Sequence, residues 1–242
     1  MSNKDRESLQ VNVSVDCVVF GFDDQQLSVL LVQRQSAEDN KNDLKLPGNL
    51  IHDDEDVDDA AHRVLNELTG IKKMVLKQFK CFGSPHRSQN KDDVKWLENA
   101  SSLKIGRLIT VAYLSLCKIN RRLNIVSKYK AVEWCGVNEL PLMPFDHNQI
   151  VEEALVEIRR WISNEPSIAF ELLPSKFTAA ELRHLYEAVY RKKFDVRNFH
   201  KKIANMHYIV PLEQRQEGVS HRAARYYKFD KILYKQRITT IE

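Results

Sequence analysis

Apolar residues recur in this chain with two different spacings, and the changes from one to the other mark out its elements. VNVSVDCVVFGF and LSVLLVQR flank a DDQQ break between Val11 and Arg34, which predicts two strands of a mostly buried sheet around a tight turn. A polar loop, Gln35 to Asp43, leads into the Leu46-Pro47-Gly48 turn. An acidic run then opens onto helical spacing: a helix is expected from about Asp56 to Leu68, with Gly70 at its left-handed C-terminal position. Strands are expected over Met74 to Phe82, Gly106 to Ile119 and Tyr129 to Trp134, with a polar loop from Gly83 to Leu103. Ile150, Ala154, Leu155, Ile158, Trp161 and Ile162 share one face of a helix running from Asn148 to Ile162. Strands, a central helix, more strands and a closing helix make an α/β/α sandwich with a mixed sheet.

A second layout begins after a short extended stretch, Ile168 to Leu173, that ends at Pro174. Thr178 with Glu181 three residues on is a capping box, and Leu182, Leu185, Ala188 and Val189 follow at helical spacing. Phe194-Asp195 turns the chain into a second helix, Val196 to Met206. Two strands, Tyr208 to Leu212 and Ala223 to Phe229, are joined by the polar loop Glu213 to Arg222. Helix, helix and β-ribbon is the order of a winged helix-turn-helix, in which a helix enters the major groove and the hairpin lies along the backbone. Arg197, Asn198, His200, Lys201 and Lys202 would form the recognition face, and His221, Arg222 and Arg225 the wing. The domains expected are residues 1–164 and residues 165–242.

Charge sharpens that division. The formal net charge is +4, but residues 1–174 carry 22 Lys and Arg against 26 Asp and Glu, whereas residues 175–242 carry 15 against 7. A basic segment behind an acidic body suits a polyanionic partner, double-stranded DNA; a solvated basic surface is the other reading. No run approaches the roughly 18 apolar residues of a membrane span, and the N-terminus MSNKDRESLQ is polar, so no membrane partner and a cytoplasmic location are expected. Cys17, Cys81, Cys117 and Cys135 are widely spaced in apolar, strand-like surroundings and form no CxxC pair, which points to buried free thiols rather than zinc or redox chemistry.

The stretch LPGNLIHDDEDVDDAAHRVLNELTGI resembles the Nudix box, in which a glycine, a loop glutamate and an Arg-Glu-x-x-Glu-Glu helix hold divalent metal against a pyrophosphate. Anchored on Arg63 and Gly70, the resemblance places Asn49 at the box glycine, Glu55 at the loop glutamate, and Val64, Glu67 and Leu68 at the three helix carboxylates. Carboxylates at i, i+3 and i+4 share one helix face, and it is their clustered charge that attracts a hard cation. With Val64 and Leu68 beside Glu67, this degenerate box (residues 49–71) offers one anionic ligand, so no metal, no cofactor and no catalytic residue are expected. An active hydrolase would need a surrogate cluster from Asp53, Asp54, Glu55, Asp56, Asp58 and Asp59 with Glu67, although acidic residues at a helix N-terminus are also explained by its dipole.

Taken together, VSVDCVVFGFDDQQLSVLLVQR, LPGNL, LNELTGI, ELPLMPFDHNQIVEEAL, IAFELLPSKFTAAELRHLYEAVY, FDVRNFHKKI and HRAARYYKF resemble the Nudix-related transcriptional regulators, most of all their arabinose-responsive branch. The resemblance implies a Nudix-like sensor followed by a winged helix-turn-helix, and a ligand-responsive repressor of sugar utilisation, with a pentose such as L-arabinose as effector. A regulator sensing ADP-ribose or a related nucleotide is the alternative. The ligand is expected between the box helix and the sheet, with Arg34, Arg63, Glu67, Arg87, Asp146 and His147 as polar contacts; Arg63 could instead pair with Glu55 to hold the loop. One recognition helix spans only a few base pairs, so a homodimer on two half-sites is expected.

Overall fold

The structure, a computed structural model, describes residues 11–23, 25–34, 43–119, 132–218 and 223–239. The β-branched run after Val11 forms β1 (Val11–Phe22), and Leu27–Gln33 forms β2. β3 (Leu44–Lys45) and β4 (Gly48–Leu50) lie on either side of the Pro47 turn; β5 (Lys77–Phe82), β6 (Arg107–Lys118) and β7 (Val132–Gly136) follow. Among the described residues these seven strands form one mixed sheet in the order β3-β2-β1-β6-β5, with β4 paired to β1 and β7 to β2. The β1 and β4 strands run antiparallel in a register that sets Asp16 opposite Gly48 and Ser14 opposite Leu50.

The box helix, α1 (Val57–Thr69), starts where its sequence signals say it should. The Asp56 carboxylate accepts from the Asp58 N–H, and Gly70, at φ 78°, donates its N–H to the Asn66 carbonyl. Ala60, Ala61, Val64, Leu65 and Leu68 are buried along one stripe, and each leucine-sized side chain removed from water contributes about 1.5–3 kcal/mol.

The region expected to be a polar loop, Gly83 to Leu103, contains a 3-10 turn at Pro85–Ser88 and a helix, α2 (Lys91–Ser101). Asn90 caps α2 through the Asp92 N–H, and Ser102 ends it in a left-handed conformation. The helix is hard to read because it buries only Asp93 and Leu97. Its anchors are distant in sequence: Leu97 joins Leu50 and Leu108, with Trp96, Ile105 and Phe145 packed against them. The strand expected from Met74 begins at Lys77. Cys17 is buried as expected, but Cys81 is exposed on β5 and Cys117 and Cys135 are half-buried; all four are free thiols.

The helix α3 (His147–Asn164) closes the sandwich sequence, and the last boundary between the chain's two compact units falls inside it, between Ala154 and Leu155. The stretch Ile168 to Leu173, expected to be extended, is instead largely a 3-10 turn at Pro166–Glu171. Proline begins it, and burial of Ile168, Ala169, Leu172 and Leu173 holds it, which an extended chain with alternating faces would not allow. β8 (Phe177–Thr178), α4 (Ala179–Tyr190), α5 (Val196–Ala204), β9 (Ile209–Arg215), β10 (Arg225–Phe229) and α6 (Lys231–Thr239) complete the second unit. Thr178 and Glu181 form the reciprocal capping box. The β10 strand lies between β8 and β9, antiparallel to both. Phe170 stacks on Phe229 at 4.4 Å and meets Phe177 and Tyr208, filling the space beside this small sheet. Neither β8 nor α6 was expected from the sequence. Among the described residues no helix is long and apolar enough to cross a membrane.

Candidate effector cleft and nucleic-acid surface

In the box, an arginine takes up the carboxylates. Arg63 donates from Nε and Nη2 to the two oxygens of Glu55 at 2.8 and 2.5 Å, from Nη1 to Glu67 at 3.1 Å and from Nη2 to the Leu50 carbonyl at 3.1 Å. Glu55 also accepts from the His52 N–H. The Arg63 fork is the main reason that the Glu55 carboxyl is lowered to about 2. Val64 and Leu68 point into the core, and the Asp58 carboxylate accepts from the Tyr113 hydroxyl. The box residues therefore do not fit the divalent cation that the resemblance implies, and among the described residues no group of three or more His, Cys, Asp or Glu is placed to hold one.

A shallow cleft with a cavity of about 30 Å³ lies in the same unit, at the start of the box, lined by Ser14, Asp16, Lys45, Gly48, Asn49, Leu50, Arg87, Trp96, Leu97, Leu108, Phe145 and His147. Its floor is a buried polar network. Asp16, from the middle of β1, accepts from the Thr110 hydroxyl at 2.7 Å and lies 3.6 Å from Arg87 Nη2 and 3.5 Å from His147 Nε2. Burial alone would push this carboxyl up; His147, Arg87, Thr110 and Lys45 outweigh it and hold it below the usual range. Gly48 is required opposite, since a Cβ there would sit 1.9 Å from Asp16 Oδ1. Lys45 donates to the carbonyls of Leu46 and Gly48 at 3.2 and 2.7 Å. Arg87, whose side chain is 1% exposed, donates to the Phe82 carbonyl and pairs with Asp146 at 3.0 Å.

The tautomer of His147 follows from its neighbours. The Leu46 N–H donates to Nδ1 at 3.2 Å, so in the neutral ring the proton sits on Nε2, facing Asp16. Burial, more than the nearby cations Lys45 and Arg87 and against the pull of Asp16, lowers this imidazole from 6.5 to about 4. The unfolded chain therefore binds a proton here that the folded chain does not, between pH 6.5 and about 4. Stability from this group is complete above pH 6.5 and is lost as pH falls toward 4, by on the order of 3 kcal/mol. Urea unfolding followed across that window should show His147→Gln with a flatter acid limb than the wild type; parallel limbs would refute the assignment.

The structure separates the six residues expected to meet the effector. Arg87 and His147 line the cleft, and Asp146 supports it through Arg87. Arg34 lies nearby, paired with Asp43 and Asp93 at 2.6 and 2.5 Å and over the Trp96 ring at 5.1 Å, without lining the cleft. Arg63 and Glu67 are occupied in the box clamp, the holding role for Arg63. Asp16, Lys45, Trp96 and Thr110 were missed. An Asp in a β-branched run and a Lys beside Leu46-Pro47 were the available signals.

In the second unit, α5 presents Arg197, Asn198, His200 and Lys201 to solvent over buried Phe199 and Ile203. Asp195 caps it through the Asn198 N–H at 2.9 Å. Glu187, buried on α4, accepts from the Phe194 N–H at 2.9 Å and from Arg183 at 2.6 Å, which fixes the turn between the helices. Lys202 differs from its neighbours: its ammonium lies 4.4 Å from the Tyr186 ring centre, and burial lowers its pKa. Arg225 is exposed at the start of β10, opposite Arg215, a second ribbon arginine that sequence reasoning passed over. His221 and Arg222 lie outside the described residues.

Comparison with known proteins bears on both regions. Residues 11–155 match the NUDIX domain, and residues 169–229 match the NrtR DNA-binding winged helix domain. The ADPR responsive transcriptional repressor NtrR of Acinetobacter baylyi is 25% identical over 221 residues, covering 90% of this chain and 81% of that one. The crystal structure of Shewanella oneidensis NrtR superposes with a TM-score of 0.62 at 25% identity, covering 90% of this chain and 94% of that chain. The same protein complexed with a 27mer DNA gives 0.62 at 24% identity, over 90% and 93% of the two chains. The architecture is thus a mixed α/β Nudix fold followed by a C-terminal winged helix domain.

Proposed function

We propose, for a chain that belongs to the NUDIX domain family and ends in an NrtR-type winged helix, that it is a DNA-binding transcriptional repressor whose Nudix domain senses a small effector without hydrolysing it. The observation that carries the reading is the match of residues 169–229 to a DNA-binding winged helix, on which α5 exposes Arg197, Asn198, His200 and Lys201. Residues 1–164 act as sensor and residues 165–242 as reader. Arg225 contacts phosphates from the ribbon and Lys202 from the helix end, and His221 and Arg222 share that role. The chain acts as a homodimer, because two half-sites are needed for specific binding at cellular salt.

The effector proposed first is ADP-ribose, since the Acinetobacter baylyi relative is named as ADPR responsive. A free pentose such as L-arabinose is the second reading, favoured by the balance of charges at the cleft, where Lys45 and Arg87 face Asp16 and Asp146. Fluorescence anisotropy of the full chain on promoter duplexes, with ADP-ribose or L-arabinose added, tests both: ADP-ribose should shift the binding curve. If no promoter fragment binds better than scrambled DNA, the regulator reading is wrong.

Absence of hydrolysis rests on the box. With Val64 and Leu68 buried and Glu55 and Glu67 held by Arg63, magnesium lacks the clustered carboxylates it needs. Incubation of the chain with ADP-ribose and magnesium should leave the nucleotide intact. Steady release of AMP that Glu67→Gln abolishes would overturn this.

A further inference from the structure

The outer end of the β-ribbon sets two like charges against each other. β9 and β10 run antiparallel with Arg215 directly opposite Arg225, and both residues are exposed. Directly opposite residues of an antiparallel pair project from the same face, with Cβ atoms about 4.5–5.5 Å apart, and like charges so placed repel. Neither arginine joins an ion pair among the described residues, the ribbon's own carboxylates Glu213 and Glu217 included. Arg215 donates from Nη1 to the Ala223 carbonyl at 3.3 Å, a backbone oxygen without the full charge that would offset a guanidinium.

The rest of the unit is compensated differently. Arg183 pairs with the buried Glu187 at 2.6 Å, and Lys228, at the inner end of β10, lies 3.7 Å from Asp230. The inner end also carries the packing, with Tyr227 opposite Phe177 and Phe229 stacked on Phe170. Between the two ends, from Arg225 to Tyr227, the register of the ribbon shifts, an irregularity of the kind that re-aims a side chain. The arginine pair thus opposes the fold electrostatically and lies apart from its core.

The geometry selects the class of anion that would relieve it. Each guanidinium presents a planar fork of donors that matches a phosphate. A lone monoanion would leave one of the two charges uncompensated, whereas a nucleic-acid strand offers a new phosphate about every 3.4 Å along its axis. We infer that Arg215 and Arg225 form one phosphate clamp on the wing, a pair that repels in the free chain and is relieved when successive phosphates of the DNA backbone take up both guanidinium groups. The inference rests on the repressor reading above and adds Arg215 to its contacts. The consequence is a trade in which the clamp lowers stability without DNA and raises affinity with it.

The test uses the full chain with Arg215→Gln, Arg225→Gln and both together, since glutamine keeps much of the stem and removes the charge. Without DNA, each single variant should raise the thermal midpoint by about 1–3 °C at low salt. The double variant should rise no further, because one removal already ends the repulsion, and the gain should fade by about 1 M salt. The DNA probes are the duplex that the wild type selects from a random-sequence library and a scrambled duplex of the same composition. Each single variant should bind both about three- to tenfold more weakly and lower the salt slope by about one. Arg215→Lys, which retains the charge, should keep the wild-type midpoint and salt slope. A midpoint unchanged or lowered in the single glutamine variants, or wild-type affinity and salt slope in folded Arg215→Gln, would overturn the inference and leave the repressor reading standing. A wild-type chain that selects no duplex and binds none would sink the repressor reading and the inference with it.

Discussion

Replacing Arg87 by Met is expected to destabilise the chain by about 3–5 kcal/mol, the usual cost of breaking a buried ion pair from one side. The guanidinium is 1% exposed, donates to the Phe82 carbonyl at 3.2 Å and forms ion pairs with Asp146 at 3.0 Å and Asp16 at 3.6 Å. Methionine fills most of the volume, so the loss comes from charge rather than from a cavity. Two carboxylates would then face each other across a buried space, and burial already pushes Asp146 up. Adding Asp146→Asn should restore part of the loss by removing one of the stranded charges. Urea unfolding of the single and double variants measures both effects. A single-variant loss below about 1 kcal/mol, the value of a surface pair, would show that the network is solvated and not buried.

The second large effect is expected on DNA. Arg197 and Asn198 lie in the first turn of α5, the end of a recognition helix that reaches base edges, where arginine suits guanine and asparagine suits adenine. Each truncation to Ala should cost roughly 1–3 kcal/mol on the cognate duplex and little on scrambled DNA, and the double variant should lose most discrimination. Lys201→Ala should instead weaken both duplexes and lower the salt slope by about one. Lys202 is a stricter case. Because its ammonium lies over Tyr186 and Phe194, its loss should lower the thermal midpoint as well as the affinity, a pairing that Lys201 should not show. Anisotropy on operator and scrambled duplexes at several salt concentrations separates the two roles. Equal losses on both duplexes for Arg197 and Asn198 would remove them from base readout.

What the sequence determined alone was local. Asp56 and Gly70 bound the box helix, Thr178 with Glu181 starts α4, and Asp195 starts α5, because caps satisfy backbone groups within a few residues and so leave their signature in adjacent letters. The replacement of the box carboxylates by Val64 and Leu68 was legible for the same reason: helix faces follow from spacing. What only tertiary structure decided was non-local. Helix α2 looked like a loop because Leu97 finds its partners at Leu50 and Leu108, far along the chain. Ile168 to Leu173 reads as extended because the turn that takes it up, Pro166–Glu171, is held by side chains buried in several directions. Of the cleft, Arg87 and His147 were legible and Asp16, Lys45 and Trp96 were not, since the five come from five separate elements, and it is their approach in a dry interior that gives each its partner and its protonation state.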